Sequence, residues 1–531
     1  MKKVRLRKIL SAAGASMLIA AFSAALPLWA EDLVILHTND THSNIDTGAN
    51  GAGGILPRKA IIDSVRKAEK NVLLVDAGDM VQGTLYFKFF KGDVEYSIFN
   101  MMKYDIRILG NHEFDNGLDQ MARYWKDVKA DRLSANYDFT GTAAQGLFKP
   151  YTIKKIGGKK IGFLGINVDP ESLISAENYR GMKYYDAIRT ANATAAELKK
   201  KGCDLVVAVT HIGYDELPPA ESDMQLARES RDIDIIIGGH SHTYVNPKTP
   251  DVTPYWVKNA AGRPVLVTQT GRYGDNVGYI KIDLDKIGEH NYDYEYIPVT
   301  DRFSPDAYDK NIRNFLAPYK AVVDSVNANV IGYSLVDMGN PRKASPYGNW
   351  TGDFAQWFGR QIADSLRAAG KDVPYPDMGM MNVGGIRQPM PKGVVTEGQI
   401  LSTFPFSNRM RLIAVKGKDL LETMRIVVPK GGEAVSESVR VVTDTAGNVT
   451  HFLINGNPVD PEREYIVSTI DYVAEGNDGM KPMANHRELW RDSREVSARI
   501  LDYVRHLTAN GIGINPDPTP RFVEDVRLRQ K

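Results

Sequence analysis

Five short apolar runs in the first half of the chain break off in the same way, into a cluster of Asp, Asn or His. They are LVILHTNDTH, closing on Asp40 and His42; NVLLVDAGD, on Asp79; DIRILGNHEFD, on Asn111, His112 and Asp115; DLVVAVTHIG, on His211; and DIIIGGHSH, on His240 and His242. Every run has the strand-forming residues first and the polar cluster last. That shared direction narrows the fold to a sheet whose carboxyl edge gathers the clusters in one place, as open α/β structures do. Five of the chain's ten histidines fall at these endings, so the pattern outweighs the ordinary reading of any one of them as a hydrogen-bonded structural residue.

At 531 residues the chain is too long for one hydrophobic core, and two domains are expected. From Glu31 to about Thr300, β-rich runs alternate with helical stretches such as GGILPRKAIIDSVRKAEK, which predicts α/β layers over residues 31–303. RPVLVTQTGRYGDNVGYIKIDLD reads as a turn-linked strand pair closing that unit. Residues 304–334 have helical spacing interrupted at Pro318 and read as a connector. A second α/β unit then occupies 335–531, with GDFAQWFGRQIADSLRAAG as an amphipathic helix and VTEGQILSTFPFSNRMRLIAVKG as a loop-strand region. TGANGAGG lacks the Lys-Ser/Thr of a phosphate-binding loop and reads as a flexible active-site loop.

The net charge of +1 offers no basic excess for a nucleic acid polymer or an anionic membrane surface. Residues 1–30 read as a secretory signal: MKKVRLRK, an apolar stretch over 9–28, then Ala30 as the cleavage point. The expected destination lies across the inner membrane, in the periplasm or at the cell surface. An uncleaved signal is the alternative, and the one route by which the chain would stay on a membrane. Cys203, the single cysteine, excludes a disulfide framework and reads as a core residue.

The clustered residue types suit phosphoester hydrolysis, where two divalent ions activate a water and neutralise phosphoryl charge. On an extended strand end Asp40 and His42 point to one face and can share an ion. Asp79 is the natural bridging carboxylate. Asn111, His211 and His240 complete a second ion, and His242 returns to the first. His37 lies inside its strand and reads as structural. Mixed Asp, Asn and His sites accept Zn²⁺ or Mn²⁺, and also Fe²⁺ or Co²⁺. In GNHEFDNG, Asp115 can reach back to His112 if the segment enters a helix, raising the basicity of an imidazole placed to protonate a leaving alkoxide. The alternatives are that His112 is another metal ligand and that Asp115 only caps a helix.

HTNDTH, DAGD, GNHE, THIG and GGHSH, in this order, resemble the motif set of calcineurin-like metallophosphoesterases over Glu31 to about Asp285. The resemblance implies a two-layer β-sandwich flanked by helices, two metals, and His112 facing the leaving group. In the second half NVGGIR (382–387), TFPFSN (403–408) and YVAEGNDGM (472–480) resemble three blocks of the C-terminal domain of secreted 5′-nucleotidases, whose bacterial members often also split nucleotide sugars. That likeness implies that Asn382 and Arg387 hold the nucleotide, that Phe406 and Tyr472 sandwich the base, and that Asp478 bonds the ribose. Arg342 is the nearest candidate for a further anion-binding arginine. Tyr472 stands where the family usually has Phe, and Asn477 where a second Gly is common; Tyr still stacks, and Asn tolerates a left-handed backbone. Without the resemblance, NVGGIR is a turn and either aromatic is core.

The expected function is a secreted metal-dependent 5′-nucleotidase acting on nucleoside 5′-monophosphates. A 2′,3′-cyclic-nucleotide phosphodiesterase with 3′-nucleotidase activity, a UDP-sugar hydrolase, and a catalytically inactive nucleotide-binding surface protein remain the alternatives. The sequence leaves oligomeric state and base preference open.

Overall fold

A computed structural model describes residues 32–525 apart from 49, 172, 217–219, 290, 291, 340 and 342. The expected signal segment and Arg342 lie outside the described residues.

In strand Asp32–Thr38, Leu33 and Ile35 enter one core while Val34 and Leu36 enter another, the period-two alternation of a strand covered on both faces. This strand belongs to a six-stranded sheet ordered Tyr292–Pro298, Asn276–Asp283, Asp32–Thr38, Asn71–Asp76, Ile106–Ile108, Asp131–Leu133. A second six-stranded sheet runs Trp256–Lys258, Pro264–Thr268, Ile235–Ile237, Leu205–His211, Lys159–Asn167, Tyr151–Ile156. Between the two, Leu33, Ile35 and Val75 pack with Phe163, Val207, Ile235 and Leu266 in one buried cluster. Each such side chain contributes about 1.5–3 kcal/mol of burial. Helix Ile55–Ala68 covers the outer face of the first sheet and helix Ala187–Lys200 that of the second.

The central strands of both sheets are parallel. Thr38 pairs with Asp76, and Asn167 with His211, so the strands end level and their following loops meet. Cys203 is buried beside Leu198 of helix Ala187–Lys200, on the helix side of the second sheet.

Three local expectations change. Pro264–Thr268 and Asn276–Asp283 do not pair with each other: the first lies parallel to Ile235–Ile237 in one sheet, the second antiparallel to Asp32–Thr38 in the other. The link between them crosses the carboxyl edge, where Asn39 Oδ1 accepts from Thr270 N and Tyr273 N donates to Asp40 O at 2.7 Å. The Gly-rich turn at residue 50 is pinned elsewhere, Gly53 N donating to Val299 O, and it leads into helix Ile55–Ala68 without lining the active-site cavity. The region expected as loop and strand contains helix Glu397–Thr403, closed by a reciprocal capping box of Thr396 and Gln399. Seven residues are too few to show helical periodicity in sequence.

Helix Lys310–Asn327 runs unbroken through Pro318, which removes one backbone donor. It packs on helix Asp93–Met102 of the first half and on helix Glu397–Thr403 of the second. Val330–Ser334, at the tail of the expected connector, is a strand antiparallel to Gly393–Thr396. Beyond it, a five-stranded sheet is ordered Ala434–Val435, Met378–Met381, Glu464–Ile470, Arg409–Lys416, His486–Glu495 and is covered by helix Pro346–Ala368. Among the described residues no helix is long and apolar enough to cross a membrane.

Candidate active site

The five predicted endings converge at the level edge of the two sheets. Three groups each bring ligand atoms within 4.8 Å of one another: Asp40 with His42 and His242, His42 with Asp79 and His112, and Asp79 with His211 and His240. His42 Nε2 and His242 Nε2 stand 2.8 Å apart, and Asp40 Oδ1 is 3.4 Å from His242. Asp79 Oδ2 lies 3.1 Å from His211 Nε2 and 3.9 Å from His42 Nε2, between the groups. Asn111 Oδ1 is 3.0 Å from His240 Nδ1. All seven residues expected as ligands are therefore brought together.

Their backbone is not the extended one anticipated for Asp40 and His42. Pairing stops at Thr38, and Asp40, His42, Asp79, His240 and His242 all have left-handed φ, between 45° and 80°. Asp and His tolerate this region better than most residues, yet each such position stores strain that the surroundings must offset. A backbone ladder supplies the restraint: Asp40 N donates to Gly78 O, His42 N to Asp79 O and Ser43 N to Met80 O, all at 2.9–3.0 Å. Gly110 and Gly239 permit the close approach, since a Cβ would stand 2.1 Å from Asp79 Oδ1 and 2.8 Å from His211 Nδ1 respectively.

The donor set fits divalent cations. His211 Nδ1–H donates to Ala77 O at 2.7 Å, which turns Nε2 toward Asp79 in the tautomer a ligand requires. Burial drives the protonation of His42 well below the usual range and that of His240 down to about 4, leaving neutral imidazoles. His211 moves the other way, to about 10: burial opposes its proton, but the Asp79 charge and hydrogen bond outweigh it. A cation beside Asp79 would take the place of that proton.

Glu113 escaped the sequence reading. Its buried carboxylate accepts from Gly110 N, Asp79 N and Met80 N at 2.5–3.1 Å, and so fixes the turn that presents Asp79. The available signal was the acid in GNHE, beside the histidine that drew attention.

His112 opens a 3₁₀ turn, His112–Phe114, and its Nδ1 lies 3.0 Å from Asp115 Oδ2. Asp115 follows the turn and does not cap its start. Burial disfavours the imidazolium, but Asp115 and Asp79 outweigh it and raise the His112 pKa. With Nδ1 committed to Asp115, Nε2 is the ring nitrogen available to another partner.

The same cavity, of about 530 Å³, is lined by Asp79, Asn111, His112 and His240 on one side and by Asn382, Arg387, Phe406, Tyr472 and Asp478 on the other. The Phe406 ring lies 5.8 Å from the His112 ring, and the Arg387 guanidinium 5.8 Å from Phe406. Asp478 accepts from Asn382 Nδ2 and from Tyr472 OH, each at 3.0 Å, while Asn382 Oδ1 is buried with no hydrogen-bond partner. Asn477 does not carry the left-handed backbone expected of it. Gly476, Asp478 and Gly479 do, and Asn477 Nδ2 closes the loop onto Tyr472 O at 3.0 Å. Arg411, paired with Glu475 and Glu488, also lines the cavity and had no sequence signal.

Residues 33–244 match the family model of calcineurin-like phosphoesterase, and residues 330–486 that of the 5′-nucleotidase C-terminal domain. A 5′-nucleotidase of Rattus norvegicus is 27% identical over 541 residues, covering 91% of this chain and 90% of that protein. The crystal structure of a 5′-nucleotidase precursor from Thermus thermophilus superposes with a TM-score of 0.78 at 28% identity, covering 93% of this chain and 99% of that one. A sulfate thiohydrolase, SoxB, of Thermus thermophilus shares the fold at a TM-score of 0.70 and 14% identity, over 95% of this chain and 98% of its own, so the fold alone does not fix the substrate. The chain belongs to the phosphoric monoester hydrolases that join a calcineurin-like phosphoesterase domain to a 5′-nucleotidase C-terminal domain.

Proposed function

We propose that this protein is an exported 5′-nucleotidase that releases phosphate from nucleoside 5′-monophosphates. The observation that carries the reading is the single cavity with the Asp-His cluster on one wall and Phe406, Tyr472 and Asp478 on the other, His112 standing between them. Two divalent ions, Zn²⁺ or Mn²⁺ foremost, held by Asp40, His42 and His242 and by Asp79, Asn111, His211 and His240, would lower the pKa of a water and neutralise phosphoryl charge. Asp79, set between both groups, is the residue to serve each.

The protein's own part is positioning and proton transfer. His112, kept basic by Asp115, gives its Nε2 proton to the departing ribose 5′-oxygen. Phe406 and Tyr472 offer ring faces to a planar base, and Asp478 offers a carboxylate to the ribose hydroxyls in place of its present Asn382 and Tyr472 bonds. Arg387 and the unpartnered Asn382 Oδ1 hold the remainder of the nucleotide. Removal of an apolar segment over 9–28 would free the enzyme outside the inner membrane.

The test is phosphate release from 5′-AMP by residues 31–531, with and without chelator, beside 2′,3′-cyclic AMP and UDP-glucose. Chelator-sensitive release, fastest from 5′-AMP, is expected. Turnover of only the cyclic ester or the nucleotide sugar would overturn the monophosphate reading. Tight AMP binding without turnover by metal-loaded protein would point to a binding protein.

A further inference from the structure

Phe406 belongs to the second half of the chain, yet a residue of the first half holds the peptide from which it springs. Lys88 lies in helix Leu85–Phe90, with its side chain only 8% exposed. An ammonium has three donors and no acceptor, and burying one is costly unless it is fully paired. The Lys88 Nζ contacts are the Glu495 carboxylate, Ser497 Oγ at 3.1 Å and Pro405 O at 3.3 Å. All three partners lie across the boundary between the halves. Pro405 O belongs to the peptide joining residues 405 and 406, so this bond sets the plane that aims Phe406.

The other end of the helix is tied to the metal loops. Thr84, immediately before it, donates its hydroxyl to Ser43 O at 2.9 Å, and Gly83 sits where a Cβ would lie 3.2 Å from His42 O. A short rigid path therefore runs from the His42 loop through helix Leu85–Phe90 and the Lys88 ammonium to the base-stacking ring.

Resting on the 5′-nucleotidase reading, we propose that Lys88 is a positioning residue. It locks the 405–406 peptide when the two halves meet, so that Phe406 stands beside His112 and nucleobase recognition is coupled to closure over the metal centre. It touches neither the metal ligands nor, on this reading, the substrate.

The experiment uses residues 31–531 loaded with metal and compares wild type with Lys88→Met, which keeps the apolar stem, and Lys88→Arg, which keeps the charge. Backbone hydrogen exchange over residues 404–408 should quicken by about tenfold or more in Lys88→Met, and residues 205–211 should exchange as in wild type. The kcat/KM for 5′-AMP should fall roughly 10- to 100-fold, the scale of a lost base stack, while p-nitrophenyl phosphate, which has no base, should lose less than about threefold. Lys88→Arg should recover most of the loss. In a Phe406→Ala background, Lys88→Met should add less than about threefold. Unchanged exchange over 404–408, equal losses on both substrates, or fully additive losses in the double variant would overturn the proposal. Failure of the underlying reading shows separately, as a wild type that does not hydrolyse 5′-AMP, and the exchange measurement still decides whether Lys88 grips the 405–406 peptide.

Discussion

The Asp-His cluster and the proposed nucleotide cleft share one cavity but are built on opposite plans. Every expected ligand in the cluster comes from the first half, His211 from the end of its strand and the others from loops that follow strands and are laced together by backbone bonds. The cleft takes Asn382 and Phe406 from two loops and Tyr472 from the short helix Asp471–Ala474 of the second half, and the two halves meet through scattered polar links. Besides Lys88, these include Tyr273 OH to Arg387 O at 3.3 Å, Ser175 to Glu475 at 3.0 Å and Lys481 to Glu171 at 2.7 Å. The last pair is exposed on both sides, and such pairs contribute about 0–1 kcal/mol. The chemistry is preassembled and recognition is assembled across a boundary, an arrangement suited to opening for exchange of substrate and product.

Substitutions should divide along that line. Asp79→Ala removes the carboxylate set between both ligand groups, and activity on nucleotide and on p-nitrophenyl phosphate should fall together, by roughly 10³-fold or about 4 kcal/mol. Metal content measured beside the rates checks the cause. Retention of full metal occupancy with full activity would remove Asp79 from the centre.

His112→Ala should cost about 10²- to 10⁴-fold in kcat for 5′-AMP with little change in KM. Because p-nitrophenolate departs without needing a proton, its loss should be clearly smaller. Equal losses, accompanied by loss of metal, would instead make His112 a ligand; it does lie within reach of His42 and Asp79.

The sequence exposed the two regions unequally, for the same physical reason. Polar clusters at strand ends leave a trace because each apolar run must be buried on both faces and then stop, so the α/β layering and the convergence of Asp40, Asp79 and His211 at one edge are legible in the sequence. The left-handed turns that aim those residues are not, since Asp and His occupy such turns and extended ends alike. Glu113 was hidden because a buried acid that accepts only backbone N–H groups has no spacing partner. In the cleft, Phe406 and Tyr472 stood out only through resemblance, and the grip of Lys88 on Pro405 spans 317 positions, beyond any local pattern.

Phe406→Ala sharpens the comparison from the cleft side. Losing one stacking face should cost about 1–3 kcal/mol for 5′-AMP, expressed mainly in KM, and leave p-nitrophenyl phosphate nearly unaffected. Steady-state kinetics on the two substrates give the answer directly. An equal effect on both would show that Phe406 serves to shield His112, 5.8 Å away, and not to bind a base.

The smallest expected effect concerns Glu433, buried behind the cleft, where it accepts from Val383 N at 2.6 Å. Burial, reinforced by the nearby Asp478 charge, pushes its pKa up to about 8, against the lesser opposing pull of the Val383 bond and Lys430. Unfolded, the same group titrates near 4.5. Below that pH both states hold the proton and the group's contribution is complete. Between about 4.5 and 8 only the folded chain keeps it, so stability is lost as pH rises through this window. Glu433→Gln preserves an acceptor for Val383 N and abolishes the titration. The variant should therefore lie nearest wild type at low pH, differ from it little near pH 5, and melt clearly higher near pH 9. Thermal unfolding of the metal-loaded protein at the two pH values checks it. Because the predicted gain arises wholly behind Val383, hydrogen exchange should slow around residues 378–386 and stay unchanged at the Leu205–His211 strand. Parallel melting curves for both proteins would mean that Glu433 keeps its charge across the range.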